Sequence, residues 1–556
     1  MAQTYFTLSQ EPAKLDALEG AEEIADSDDR RLAAMGYKQQ MRRNFSLISV
    51  LALGFSLTNS WWAVSAAMVT GINSGGPVLF VYGTIGLFVA GLCIAVSLSE
   101  LVSAYPNAAG QSYWVSQLAP PKYARLLSYI TGWFVWAGSI FASASVSLTV
   151  GSACVGCYQL MHPDMQVVLP SSPETENAHP VRIIEKWHVF VAYQMINVFA
   201  FFFNTYGKIL PAIATISLYT TLISFIVILI TVPARAPTHQ DAQFVFATFI
   251  NNTGWSSSGI AFIVGLINPN WGFSCLDTVV HIAEECHRPE RLIPMGIIGT
   301  VVIGFITSFT FSISMMYSIS NFEDIVNTAT SVPILELFYQ ALNHRGGAVA
   351  LEALVIATGL GCQIACHTWQ SRLCWSFARD KGTPFHGFLS QVNDTLGIPL
   401  RAHAVCCMIV AILGCLYLGS YTAIGSIISA CIVLPYVSYC IPTALLLLKG
   451  RNNIRHGPFW LGKLGLVANV GLLCFTLFAI IMYSFPTVKP VNADSMNYVA
   501  AVYGIIIFII TVDWLIRGRR EYRTGESDML DGQSLRLAET RDPITGVKDL
   551  AGLSQP

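Results

Sequence analysis

Charge is scarce in this chain of 556 residues: Asp, Glu, Lys and Arg make up 12% of it, against 53% hydrophobic residues. An average soluble domain carries roughly 25% charged residues, so an ordinary soluble globule is excluded. The net charge of −2 is too small to hold a nucleic acid, and neither a basic amphipathic run nor a glycine-rich phosphate loop occurs. An N-terminal signal sequence, charged and then apolar, is also missing. The 14 cysteines lack the regular spacing of a zinc site or a secreted disulfide scaffold. Most fall inside apolar runs, as small packing residues do; Cys154 and Cys157 are the pair placed where oxidation is an option. No nucleophile–base pair accompanies the apolar runs, so the expectation is no enzyme, no metal and no cofactor.

What the chain has instead is long apolar runs. A membrane span needs about 20 mostly apolar residues, and about twelve such stretches follow one another between short polar turns. They lie near 46–70, 77–101, 124–152, 186–204, 206–233, 255–284, 293–318, 347–376, 400–418, 421–448, 462–485 and 496–517. The reading is an all-α polytopic membrane protein with one membrane domain over 44–518. A polar, acid-rich tail, expected to be disordered, precedes it over 1–43, and a second tail follows over 519–556. Lys and Arg near the span ends set orientation. Lys38, Arg42, Arg43, Lys122, Arg125, Arg288, Arg291, Arg379, Lys381, Arg451 and Arg517 all fall on one side, which places both termini in the cytosol. The sequon Asn251-Asn252-Thr253 then lands outside, making Asn251 a glycosylation candidate.

Two spans are interrupted. The sixth breaks at Gly265-Leu266-Ile267-Asn268-Pro269-Asn270-Trp271-Gly272-Phe273 and is expected to resume as a helix through Asp277 to Glu285. The first gives way at Thr58-Asn59-Ser60 before Trp61-Trp62. Broken backbone inside a bilayer survives only where it lines a cavity or is covered by protein. Breaks five spans apart are the sequence pointer to the mid-membrane substrate site of a secondary transporter built from inverted repeats.

The run from Glu100-Leu101-Val102-Ser103-Ala104-Tyr105-Pro106-Asn107-Ala108-Ala109-Gly110-Gln111 to Trp114 resembles the second-to-third-span signature of the amino acid–polyamine–organocation superfamily. His281-Ile282-Ala283-Glu284-Glu285 through Pro289 and Pro294 resembles its motif closing helix six. Leu57-Thr58-Asn59-Ser60-Trp61, Phe262 through Pro269, and Ala365-Cys366-His367-Thr368-Trp369-Gln370 through Asp380 resemble the fungal amino acid/choline transporter family. The resemblance runs from about residue 42 to about 500. It implies a five-plus-five inverted repeat with two extra helices, discontinuous helices one and six, and cation-coupled uptake without covalent chemistry. The family takes choline, GABA and other amines.

A quaternary ammonium offers no N–H and is held by aromatic faces. Trp61, Trp271, Phe273 and, in the third span, Trp136 are the candidate walls, whereas Trp62 and Trp133 are expected to face lipid or packing. Asn59, Ser60 and Asn268 are candidate partners for a substrate hydroxyl or, alternatively, for the broken backbone itself. Amino-acid carriers of the superfamily usually place glycines in the first break, where bare N–H groups approach a carboxylate; Thr58-Asn59-Ser60-Trp61-Trp62 has none, which favours a substrate without one. Phe273, Asp277, His281 and Glu284 are spaced to share one helical face. A charge within a span is functional by default, so Asp277 is a candidate for cation attraction or coupling and His281 for a proton relay. Glu100, Glu284, Arg372 and Arg379 are expected in ion pairs at the cytosolic gate. The expected partners are a small cationic amine and the lipid bilayer, with a proton as coupling ion and no nucleic acid. A GABA, amino-acid or polyamine permease of the same fold, and a nutrient receptor that binds without transporting, are the alternatives.

Overall fold

A computed structural model describes residues 27–163, 185–419, 423–492 and 496–525. Among the described residues, ten helices are long and apolar enough to cross a membrane. The difference from twelve lies in two places. The helix Lys186–Phe203 is 18 residues long, opens on Lys186, Trp187 and His188, and carries Gln194 and Asn197. These two amides donate to the carbonyls of Ala411 and Cys407 on a neighbouring helix, so its polar side chains are spent on packing. The sixth segment is divided into shorter pieces.

In chain order the elements that position the site are α1 (Leu47–Thr58), α2 (Ser60–Ala66), α3 (Thr84–Ala104), α4 (Gln111–Leu118), α5 (Pro121–Met161), α6 (Lys186–Phe203) and α7 (Leu210–Arg235). The second half supplies α8 (Ser258–Gly265), α9 (Ile267–Trp271), α10 (Pro289–Tyr317), α11 (Arg345–Arg379), α12 (Leu400–Gly419), α13 (Ala423–Lys449), α14 (Lys463–Met482) and α15 (Val499–Asp513). Their starts follow local chemistry. Ser46 caps α1 in a reciprocal capping box with Ser49. Proline stands in the first turn of α5 and α10, where its missing N–H costs nothing.

The packing pairs corresponding members of the two halves. Helix α3 lies along α10, and α5, the longest at 41 residues, lies along α11 at 35. α13 also packs on α5. A short antiparallel pair, β1 (Ser74–Gly75) with β2 (Ile250–Asn251), ties the stretch after α2 to the stretch before α8.

The two breaks differ in kind. Between α1 and α2 a single residue, Asn59, adopts left-handed φ 32° and ψ 63°, a conformation asparagine tolerates. In the sixth segment the expected position needs correcting. The chain is only kinked at Leu266, which keeps helical angles (φ −56°, ψ −19°), because Pro269 lies in the first turn of α9 where it is accommodated. The true break begins at Gly272. Nor does an α-helix resume from Ser274: Cys275 takes φ 58°, and the Ser274 and Thr278 hydroxyls donate back to the carbonyls of Trp271 and Cys275, competing with the helical ladder. Only a tight 3₁₀ turn forms, Val280–Glu285.

The tails need a second correction. Residues 27–43, expected within the disordered segment, pack beneath the bundle with Leu32, Tyr37 and Met41 buried, because these apolar side chains alternate with charges that find partners on the helix ends. At the other end Tyr522 is buried as well. The rest of both tails lies outside the described residues.

Candidate functional site

The two breaks meet face to face. The Ser60 hydroxyl donates to the carbonyl of Gly272 at 2.5 Å, and a Cβ on Gly272 would stand 2.7 Å from the Ser60 Cα. Only glycine permits this approach. Asn268 reaches from α9 to the carbonyls of Ala63 and Val64, 3.4 Å away, so its amide is engaged with the backbone of α2.

Aromatic rings sort onto two sides of α2. Trp61 turns away from the second break: it packs on Phe225 and Phe311, 6.0 and 5.5 Å between centroids, and its indole N–H donates to Thr221. Trp62, expected to face lipid or packing, is buried in packing, with its ring 5.3 Å from that of Trp271 and tilted 48° to it. One helical residue is a turn of about 100°, and the seating of α2 against α9 and α10 decides which indole faces inward. Gly359 of α11 makes room for Trp62, since a Cβ there would come within 2.8 Å of the indole, and the indole N–H donates to Val355 O at 3.0 Å. Trp271 lies against the Cys431 thiol of α13. Phe273 packs between Gly91 of α3 and Gly304 of α10, away from the pair. Trp136 turns its N–H to Cys406 of α12. The structure thus brings together Trp62 and Trp271 and leaves Trp61, Trp136 and Phe273 in helix contacts. On the Trp61 side, Asn59 Oδ1 accepts from Thr221, the hydroxyl that also accepts from the Trp61 indole, while its buried Nδ2 has no partner among the described residues. That is a donor free for a ligand oxygen.

Asp277 is the hub of a second cluster. It is fully buried and accepts from Gln111 at 2.8 Å and from the Tyr439 hydroxyl of α13. His281 Nε2 lies 3.0 Å from the same carboxylate, and His281 Nδ1 lies 2.8 Å from the carbonyl of Ala108. A carbonyl accepts only, so Nδ1 carries hydrogen. A single further proton then lies between Nε2 and Asp277, giving either an imidazolium–carboxylate pair or a neutral imidazole with a carboxylic acid. Asp277 and His281 thus form one hydrogen-bonded pair. Although no α-helix runs through this stretch, the turn still brings the spacing of four into contact. The sequence does not assign Tyr439 and Gln111 to the site because they lie on distant helices: Tyr439 is a polar group inside an apolar run, and Gln111 falls between two runs.

On the side where Lys and Arg cluster, buried ion pairs close the bundle. Arg372 meets Glu285 at 2.9 Å, Arg379 meets Glu284 at 2.7 Å, and Arg451 meets Glu100 at 2.8 Å. The Arg379 guanidinium is also sandwiched between the rings of Tyr37 and Trp375, at 4.3 and 4.5 Å. Tyr37 donates to Asp380 at 2.9 Å. Burial, and then the Asp380 carboxylate, push its phenol well above the ordinary range, so it stays a donor. On the opposite side Asn251 is half-buried in β2, its Nδ2 donating to Trp255 O and its Oδ1 accepting from Thr253. Cys154 and Cys157 carry free thiols.

Membrane-crossing helices with two interrupted segments touching at their breaks, buried charge beside them and ion pairs closing one end define a multi-pass transporter of a small-molecule substrate. The chain belongs to the amino acid permease family, whose model matches residues 45–510. It is 47% identical to the choline transporter of Saccharomyces cerevisiae over 504 residues, 90% of this chain and 86% of that one. It is also similar to the 7-keto 8-aminopelargonic acid transporter of the same yeast (32% over 532 residues, 84% of this chain and 91% of that one). A third relative is the swainsonine transporter of Arthroderma benhamiae (33% over 503 residues, 90% and 96%). Membership in this family makes the chain a permease and not an enzyme.

Proposed function

We propose that this permease imports choline or a similar quaternary amine together with protons, by alternating access, across the plasma membrane with both termini in the cytosol. The observation that carries the reading is the buried Trp62–Trp271 pair at the junction of the two breaks. A quaternary ammonium between two indole faces gains about 0.5–2 kcal/mol from each, without the carboxylate partner an amino acid would need. The absence of glycine from the first break, the free Asn59 Nδ2 available to a substrate hydroxyl, and the choline transporter among the relatives support the same choice.

The two indoles close on each other, 5.3 Å between ring centroids. Substrate enters by parting them, and their re-closure over the cation supplies the preference for one conformation that a ligand must have to shift an equilibrium. Asp277 and His281 hold the coupled proton, and Tyr439 and Gln111 fix the carboxylate. Opening to the cytosol requires Glu284, Glu285 and Glu100 to release Arg379, Arg372 and Arg451. Excess lysine and arginine on that side supports the orientation.

Uptake of labelled choline, GABA and spermidine at two external pH values tests the proposal. The expected result is saturable choline uptake, faster at the lower pH and blocked poorly by GABA. Stronger block by GABA than by choline would move the assignment to an amino-acid permease, and binding without accumulation in sealed vesicles would make it a receptor.

A further inference from the structure

A cluster away from the breaks suits a metal ion. His367 of α11 and His403 and Cys407 of α12 turn one ligand atom each toward a common point, all within 4.8 Å of one another. Cys407 Sγ is 3.4 Å from His367 Nδ1 and 4.0 Å from His403 Nδ1. Zn–N bonds of about 2.0–2.1 Å and a Zn–S bond of about 2.3 Å in a tetrahedron separate nitrogen from sulfur by about 3.6 Å, so the two distances bracket the edge of such a polyhedron. We propose that His367 Nδ1, His403 Nδ1 and Cys407 Sγ form a binding site for a borderline-to-soft transition metal, Zn²⁺ or Cu⁺.

The groups behind the ligands fit. His403 Nε2 lies 3.2 Å from the carbonyl of Phe201, which fixes hydrogen on Nε2 and leaves the Nδ1 lone pair pointing at the cluster, the outer-shell support typical of metal-bound histidine. His367 Nε2 lies 3.0 Å from the Gln363 side-chain nitrogen, and the Gln363 oxygen has no partner among the described residues. A half-turn of that amide sets the oxygen to accept from both His367 Nε2–H and Ser143, freeing His367 Nδ1 for the metal. Loading therefore couples to the Gln363 amide. Arg372, whose charge acts on His403, is paired with Glu285. A thiolate and two neutral imidazoles leave a monovalent ion uncharged and a divalent ion with one net charge, within what a buried thiolate site supports. Bound metal would clamp α11, which carries Gly359 beneath Trp62, to α12. Spacing alone hid the site, because its ligands come from two helices and only His403 and Cys407 are close in sequence.

The test uses the full chain, purified in a background where the exposed Cys415 and Cys474 are changed to Ser. Protein loaded with Zn²⁺ or with Cu⁺ and then desalted is analysed for metal, and Co²⁺-loaded protein for a thiolate-to-cobalt charge-transfer band. Retention of about one ion of either kind per chain, with the cobalt band, supports the site; Cys407→Ser should lower retention at least tenfold and remove the band, and Gln363→Leu should weaken affinity about 10–100-fold. Retention of neither ion, or a band that survives Cys407→Ser, overturns it. If the variants fail to fold, the cobalt spectrum of the parent decides alone: no charge-transfer band refutes the site.

Discussion

Exchanging Trp62 and its neighbour Trp61 for leucine separates the proposed binding geometry from mere aromatic packing. Both are buried, and truncation of either to alanine would cost about 3–5 kcal/mol of stability, which would confuse folding with binding. Leucine limits that loss. For Trp62→Leu, removing one of two indole faces from the cation forfeits about 0.5–2 kcal/mol; at 1.4 kcal/mol per tenfold this is a rise in the KM for choline of about 2–30-fold. Trp62→Phe, which keeps a weaker ring face, should fall between. Trp61→Leu breaks the bond to Thr221 and the contacts with Phe225 and Phe311, so the amount of protein at the membrane should drop while the KM of what remains is unchanged. The assay is initial-rate uptake of labelled choline in cells without their own uptake, normalised to surface-labelled protein. A raised KM in Trp61→Leu with an unaltered KM in Trp62→Leu would refute the reasoning.

Other changes probe the remaining parts. Asp277→Asn should abolish choline accumulation driven by an inward proton gradient while leaving exchange of choline across vesicles, and pH-dependent accumulation in this variant would remove Asp277 from coupling. Arg379→Ala strands the buried carboxylate of Glu284 and should destabilise the closed form by about 3–5 kcal/mol. The double change Arg379→Leu with Glu284→Leu should be milder than either single one in thermal melting, and additive losses would contradict the pair's isolation from water. Gly272→Ala forces a methyl against Ser60 at a cost of about 1–3 kcal/mol; uptake per surface molecule should fall well below the parent's, and a parental rate would show that the two breaks do not move in contact.

Much of the architecture was legible because bilayer physics leaves a strong trace: runs of about 20 apolar residues mark ten of the helices, and Thr58-Asn59-Ser60 marks the first break. The second break was misplaced by several residues. Proline at 269 looks disruptive on paper but sits harmlessly in a first turn, and the unwinding comes from Gly272, Ser274 and the left-handed Cys275. Which of two adjacent tryptophans faces inward was not legible, since it depends on how α2 seats against α9 and α10, a tertiary fact. The same holds for Tyr439 and Gln111, brought to Asp277 by helices far apart in sequence. The segment around Tyr37 reads as tail because its apolar residues are few, yet Leu32, Tyr37 and Met41 are buried beneath the helix ends.

A structure of the purified permease with choline bound tests the central claim most directly. The account predicts the quaternary nitrogen within about 6 Å of the ring centroids of both Trp62 and Trp271, with the rings moved apart from their 5.3 Å contact. Choline seated elsewhere, with the two indoles still in contact, would contradict it.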